Sequence, residues 1–160
     1  MNHMEFILFP SSAADEFHVM LALPSGSSLD ASSDKLRELE KAVRATVRED
    51  ELDSYITRVG RWGVDFAVDG QRYGTVQVIL TPFAERDRTV DLIIAEMREL
   101  TDQITGVENL VYHVKAGGPQ VGSPVTLRIV SADDKQRAGL AKDVYEFLHT
   151  TPGVTDLDRD

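Results

Sequence analysis

Residues 17–47 read FHVMLALPSGSSLDASSDKLRELEKAVRATV, and they contain the pattern from which the fold is predicted. From Phe17 to residue 23 every second residue is strongly apolar, which predicts a strand with one buried face. Residues 24–26 (PSG) break the strand, and Ser27 or Ser28 can cap the helix that follows. The apolar residues of that helix recur at spacings of three and four and so share a stripe facing a sheet. They are Leu36, Leu39, Val43 and Val47.

A second copy of this pattern follows the return strand expected at 55–59. It begins at Gly74, its helix is capped by Asp87 or Thr89, and the turn at Gly106 leads into a strand over about 109–115. The inward residues predicted for its strand and helix are all apolar. They recur at every second position on the strand and at spacings of three and four on the helix. They are Val76, Val78, Leu80, Val90, Ile93, Ile94, Met97 and Leu100.

A third copy begins near Val125 but is not completed. A strand is expected first, then a helix capped by Asp133 or Asp134, then a turn at 152–154 (PGV) that resembles the turn after the second helix. The predicted inward residues are Val125, Leu127 and Ile129 on the strand and Leu140, Val144, Phe147 and Leu148 on the helix.

Two complete units side by side predict an α+β fold of the ferredoxin-like split β-α-β type, an antiparallel sheet with helices on one face. An extra half β-α-β unit follows. We expect the complete β-α-β-β-α-β domain over 5–116 and the half over 117–160. A lone half leaves an open sheet edge. It either packs on the first domain, pairs with a second copy, or belongs to a protein that continues past Asp160.

Composition removes several functional classes. The 160 residues are 42% hydrophobic and 28% charged, which is typical of globular domains. The net charge of −10 disfavours binding to nucleic acid or to an anionic membrane surface. The absence of cysteine excludes disulfide scaffolds, cysteine zinc sites and thiol catalysis. No apolar run approaches the roughly 18 residues of a membrane span.

The sequence shows no convincing catalytic or metal-binding constellation. His18 and His113 lie on different predicted strands and could approach each other, but a strand-surface or hydrogen-bonded histidine is the favoured interpretation. The stretch 117–122 (GGPQVG) resembles a phosphate loop, yet a proline and a strand follow it rather than a helix. It is interpreted as a linker. No catalytic residue, metal ligand or cofactor is therefore expected.

The segment 60–74 (GRWGVDFAVDGQRYG) is punctuated by glycine but carries Trp62, Phe66 and Tyr73 where a connection is normally polar. One interpretation is a long hairpin loop whose aromatic residues fold back onto the sheet. The other is a mobile loop that offers apolar contacts to a ligand or a neighbouring subunit. Sequence alone leaves the two equally supported.

Five stretches occur in an order that resembles one known family. They are 6–10 (FILFP), 16–29 (EFHVMLALPSGSSL), 85–90 (ERDRTV), 117–125 (GGPQVGSPV) and 151–157 (TPGVTDL). Together they resemble the second periplasmic loop of AcrB-like resistance-nodulation-division (RND) efflux transporters. The resemblance implies that about 5–115 corresponds to the first porter subdomain of that loop and 118–160 to the first half of the next. A fragment of this kind accounts for the unfinished third copy.

The resemblance also implies a function that is not enzymatic. RND transporters export drugs or other amphipathic compounds from Gram-negative bacteria, driven by the proton gradient. They act as inner-membrane homotrimers with periplasmic adaptor and outer-membrane channel proteins. This chain would be a periplasmic portion that contributes to the substrate cleft and a switch-type loop. By itself it is expected to self-associate through its exposed half-subdomain.

Carried over by position, the resemblance implies substrate contacts at Met20, Trp62, Phe66, Tyr112 and Val114. Apolar, aromatic and thioether side chains suit a cleft that holds varied ligands. The alternative for Met20, Tyr112 and Val114 is ordinary sheet packing. Export of monovalent copper or silver is disfavoured, because soft metals need several thioether ligands together and Met20 stands alone.

Two other functions remain open from the residues themselves. The main alternative is a free-standing ferredoxin-like module for ligand binding or oligomerisation. A weaker one is a small enzyme that uses His18 or His113.

Overall fold

The computed structural model describes residues 13–66, 68–115, 127–154 and 157. The chain divides into two compact units, 1–118 and 119–160. The first contains β1 (Glu16–Ala22), α1 (Leu29–Thr46), β2 (Leu52–Trp62), β3 (Val68–Leu80), a 3₁₀ turn (Phe83–Glu85), α2 (Val90–Thr101) and β4 (Asn109–Val114). The second contains α3 (Asp134–His149).

The first unit is a four-stranded antiparallel sheet with the order β2-β3-β1-β4. The two β-α-β halves interleave, so β1 lies between β3 and β4. On β1, His18 is the register partner of Gln77 on one side and of His113 on the other. Residues of α1 and α2 share one core with β1 and β3. This confirms the predicted α+β split β-α-β fold.

The core lies between the two helices and one face of the sheet. Its central residues are fully buried, among them Phe17 on β1, Leu39 on α1 and Met97 on α2. The inward residues predicted for the two complete units are confirmed except Leu100, which is 41% exposed. Thr101 takes the inward position at the end of α2, where its hydroxyl bonds Tyr112.

In the described part of the chain, each of the three α-helices begins at one of the caps predicted from the sequence. Ser28 accepts a hydrogen bond from the amide of Ala31, and Thr89 accepts one from the amide of Leu92. Asp133 accepts bonds from two amides at the start of α3. These oxygens satisfy amide groups that have no partner inside the helix.

Gly74 lets α1 approach the sheet closely. It is buried in β3, and a Cβ atom there would lie 2.6 Å from Cδ1 of Leu36. Leu36 is 1% exposed, so its side chain fills the space that a larger residue at 74 would need.

The second unit differs from expectation in two ways. The strand expected around Leu127 and Ile129 is not formed, since 127–130 have irregular backbone; Val125 lies outside the described residues. The helix stripe is not buried, because Leu140 is 45% and Phe147 68% exposed. A strand needs a partner for its backbone groups, and the described residues of this unit include none.

The linker stretch 117–122 and the first ten residues lie outside the described part of the chain. Within that part, no helix has the combination of length and apolar character needed to cross a membrane.

Candidate functional site

The face of the sheet opposite α1 and α2 is called the open face below. Side chains alternate between the two faces of a strand, so the residues between the core positions point this way. Those on the open face include Glu16, His18, Met20, Ala22, Ile56, Arg58, Trp62, Tyr73, Thr75, Gln77, Ile79, Asn109, Val111 and His113. Two groups of these side chains are called the apolar half, around Trp62, and the polar half, around Glu16.

The apolar half is a cluster around Trp62. Met20, Ala22, Trp62 and Val111 are each less than a tenth exposed. Tyr73 packs against them, its ring centroid 5.6 Å from that of Trp62. No residue of α1 or α2 belongs to this cluster.

A bulge in β2 precedes Trp62. The register with β3 shifts between Val59 and Arg61, and Gly60 between them has a φ of 77°. Glycine takes that left-handed conformation without a steric penalty. Trp62 follows this bulge and is buried in the cluster on the open face.

The polar half centres on the carboxylate of Glu16. Oε1 lies 2.9 Å from His18 Nε2 and accepts a hydrogen bond of 2.7 Å from Gln77, while Oε2 accepts one of 2.9 Å from Lys115. Arg58 donates to Oε1 of Gln77 at 2.8 Å and extends the row. Although burial alone raises the pKa of Glu16, the bonds from Lys115, His18 and Gln77 outweigh it and lower that pKa. Glu16 is therefore ionised at neutral pH.

His18 is 1% exposed and neutral at pH 7. Burial lowers its pKa more than the bond to Glu16 raises it, and the charges of His113 and Lys115 lower it further. An ionised carboxylate only accepts hydrogen bonds, so Nε2 carries the proton and Nδ1 keeps its lone pair. Among the described residues, Nδ1 has no hydrogen-bond partner.

Phe66 covers the polar half from the β2–β3 turn. Its ring centroid lies 5.8 Å from that of His18 with 28° between the planes, and Cζ of Arg58 lies 3.9 Å from the Phe66 centroid. Phe66 has a φ of 57°, the one positive φ of a non-glycine residue in the described segments. Its ring contact is thus made at the cost of backbone strain.

The structure clarifies the segment 60–74. The strands are longer than expected, since β2 runs to Trp62 and β3 begins at Val68, so the connection itself is short. Trp62, Phe66 and Tyr73 all fold back onto the sheet, which confirms the structural part of the first interpretation. That the segment contacts a ligand stays a prediction.

Of the five residues predicted to contact substrate, the structure brings three together on the open face: Met20, Trp62 and Phe66. Tyr112 and Val114 lie on the opposite, helix-covered face. Tyr112 is buried with its hydroxyl 2.7 Å from that of Thr101, and Val114 packs against the main core.

Asn109, Val111 and His113 of β4 share the open face with Met20, and the sequence did not predict them as substrate contacts. The alternation of β4 carries the signal. Residues 110, 112 and 114 are all apolar or aromatic, whereas 111, 113 and 115 include a histidine and a lysine. The more apolar set faces the core.

His18 and His113 are cross-strand partners on the open face, as their positions allowed. Within the segments that the structure describes, no three histidine, aspartate or glutamate side chains are grouped so as to hold a metal ion. The chemistry available on this face is apolar contact, aromatic stacking and hydrogen bonding.

Comparisons with known proteins agree with this architecture. The model of the AcrB/AcrD/AcrF family matches residues 4–160. The structure of a heavy metal efflux pump matches with a TM-score of 0.65 and 18% identity, over 89% of this chain and 15% of the pump chain. The chain thus spans a small part of that protein. None of the curated proteins compared with the chain matches it. Because the family model covers almost every residue, the chain belongs to the AcrB/AcrD/AcrF family, which confirms the predicted resemblance to RND efflux transporters.

Proposed function

We propose that this chain is a periplasmic porter segment of a proton-driven RND transporter in a bacterial inner membrane, and that it contacts amphipathic organic substrates. Its role is to bind, not to catalyse. Family membership supports the assignment to a transporter. The observation that carries the substrate class is the open face, where an apolar cluster around Trp62 adjoins the polar row of Glu16, His18 and Gln77.

An amphipathic compound has one apolar and one polar part, and the open face offers a matching pair of surfaces side by side. Met20 and Trp62 supply adaptable apolar contact, since a thioether and an indole adjust to varied shapes. Phe66, on the short turn between β2 and β3, stacks on His18 and would act as the gate. Ligands would contact Met20, Trp62 and Phe66 together.

Metal ions are a less suitable cargo. The similar solved structure is that of a heavy metal efflux pump, but at 18% identity the likeness concerns the fold. The chain has four methionines, of which Met20 lies on the open face and Met97 in the helix-covered core. Copper(I) and silver(I) bind where several thioethers converge. Among the described residues Met20 supplies the one thioether on the open face, which favours organic substrates.

The complete transporter would act as a homotrimer with a periplasmic adaptor and an outer-membrane channel. The porter units would open and close a cleft by tilting as rigid bodies while the turn carrying Phe66 gates it.

The test uses the complete transporter that carries this segment, expressed in cells lacking other efflux pumps. Trp62→Ala and Met20→Gln should raise accumulation of an amphipathic fluorescent dye, whereas Tyr112→Phe, on the other face, should not. Resistance to copper and silver should be the same with and without the transporter. Dye export unaffected by Trp62→Ala and Met20→Gln, at equal protein level, would contradict the proposal.

A further inference from the structure

Phe66 contacts Arg58 and His18 in the way that a bound aromatic ligand would. The ring lies over a guanidinium, with 3.9 Å from its centroid to Cζ, and stacks on an imidazole at 5.8 Å. A guanidinium face and an aromatic face both attract flat rings. Nothing in this arrangement depends on the ring belonging to the protein.

The backbone of Phe66 is strained in this position. Its φ of 57° is unfavourable for a residue with a side chain. It is half-buried, and its turn is closed by a bond of 3.1 Å from its amide to the carbonyl of Gly63. Release of the ring relieves the strain, which offsets part of the contact energy that is lost.

The surface beneath Phe66 is anchored independently of the turn. Arg58 is held by Gln77, which bonds Glu16, and Glu16 in turn holds His18 and Lys115. These residues lie on or next to all four strands of the sheet, so they keep their positions when the turn moves. His18 adds Nδ1, a buried nitrogen without a partner among the described residues.

The charge of this row is positive. Arg58 and Lys115 are cations, Glu16 is the single carboxylate that joins them, and His18 is neutral at pH 7. The excess of one positive charge contrasts with the net charge of −10 of the whole chain. An anionic ligand is therefore favoured here over a cationic one of the same shape.

We propose that Arg58 and His18 form a receptor for the planar ring of an aromatic carboxylate, which Phe66 occupies until a ligand displaces it. The inference rests on the proposed function, whose substrate class it narrows from amphipathic compounds to those with a flat, acidic aromatic group. Met20 lies two residues after His18 on β1, so the apolar cluster is beside the receptor. The cluster can contact the rest of such a ligand.

The experiment is an NMR titration of the purified chain with three probes. 2-Naphthoate has the ring and the negative charge, 2-naphthylmethylammonium has the ring with a positive charge, and cyclohexanecarboxylate has the charge without the aromatic ring. The resonances followed are those of the His18 imidazole and of the indole of Trp62, the one tryptophan in the chain.

Phe66→Ala empties the receptor and should tighten binding of 2-naphthoate on the order of fivefold, because the competing ring is removed. Adding Arg58→Gln should cancel that gain. Phe83→Ala is the matched control: Phe83 is another half-exposed phenylalanine beneath an arginine, with Arg86 Cζ 5.5 Å from its centroid. It should leave the affinity unchanged.

The outcomes distinguish the receptor at Arg58 and His18 from the proposed substrate surface on the open face. Preference for 2-naphthoate, with shifts at His18, supports the receptor. Equal binding of all three probes with shifts at Trp62 overturns the receptor and leaves the proposed substrate surface standing. Shifts at neither residue with any probe, in wild type and in Phe66→Ala, contradict both. Circular dichroism of each variant establishes that the fold is retained.

Discussion

The hydroxyl groups of Thr101 and Tyr112 lie 2.7 Å apart in the interior, on the helix-covered side of the sheet. Tyr112 thus packs in the helix-covered core, apart from Met20 and Trp62 on the open face. The residue has a structural task whatever the open face binds.

Tyr112→Phe should lower the free energy of unfolding by about 1 kcal/mol, the usual worth of one intramolecular hydrogen bond. The ring contacts of Tyr112, including Arg98 Cζ at 4.3 Å from its centroid, are kept by phenylalanine. Urea unfolding followed by circular dichroism measures the loss. Ligand affinity should not change, and a large drop in affinity at unchanged stability would place Tyr112 in the site.

Glu51 and Arg88 form a buried ion pair between the start of β2 and the start of α2. Arg88 donates to Oε1 of Glu51 and to the carbonyl of Thr46, each at 2.8 Å. Removing one partner of a buried pair costs about 3–5 kcal/mol, so Arg88→Met should strongly destabilise the first unit. Glu96→Gln removes a 55% exposed partner of the same arginine and should cost much less. Thermal unfolding at pH 7 compares the two.

The same ion pair predicts that the stability of the fold depends on pH. The hydrogen bonds from Arg88 lower the pKa of Glu51, although burial opposes them. A carboxyl with a depressed pKa stabilises the fold above the pKa it has when unfolded, about 4.3, and this stabilisation is lost as the pH falls below that value. Wild-type stability should therefore decline on acidification more steeply than that of Glu51→Gln. Parallel profiles from pH 6 to pH 3 would count against the pair.

Gly74→Ala tests the close approach of α1 to β3. The added methyl would meet three carbons of Leu36 within 2.8 Å, and overpacking of this kind costs about 1–3 kcal/mol. Gly139→Ala is the matched change, because a Cβ on that residue of α3 meets no atom within 4 Å. It should not lower the unfolding midpoint. Equal effects of the two substitutions would show that Gly74 is not constrained by packing.

The exposed apolar residues of the second unit predict self-association of the chain. Phe147 and Val130 are 68% and 79% exposed, and large exposed apolar side chains promote contact between copies. Light scattering should show mass increasing with concentration, and Phe147→Glu should reduce the increase. A monomer throughout a wide concentration range would contradict this expectation.

The sequence was sufficient for the fold of the first unit because its signals are local. Apolar residues at every second position predict strands, and apolar residues at spacings of three and four predict helices. Caps such as Ser28 and Thr89 mark where helices begin. Each of these signals acts within a few residues. Leu100 was misplaced because the helix stripe alone could not show that Thr101 bonds Tyr112 across the core. That bond depends on tertiary contact.

The candidate site was only partly accessible for a similar reason. Met20, Trp62 and Phe66 were selected together, but the side on which Tyr112 lies depends on the register of β4 against β1. The bulge at Gly60 and the φ of Phe66 are also set by the paired strands. The strand predicted near Leu127 is not formed, because alternation indicates which face of a strand would be buried but supplies no partner strand.

The account rests on the claim that ligands bind the open face. This is tested most simply by following the fluorescence emission of Trp62 during titration with an amphipathic compound that does not absorb where tryptophan absorbs or emits. Dodecyl maltoside below its critical micelle concentration is suitable, and the signal has one source because the chain has one tryptophan. We predict a saturable change in emission. Met20→Gln should weaken it by about tenfold, the factor given by about 1.4 kcal/mol of lost apolar burial, while Tyr112→Phe should leave it unchanged. No saturable change, or equal affinity of wild type and Met20→Gln, would contradict the claim.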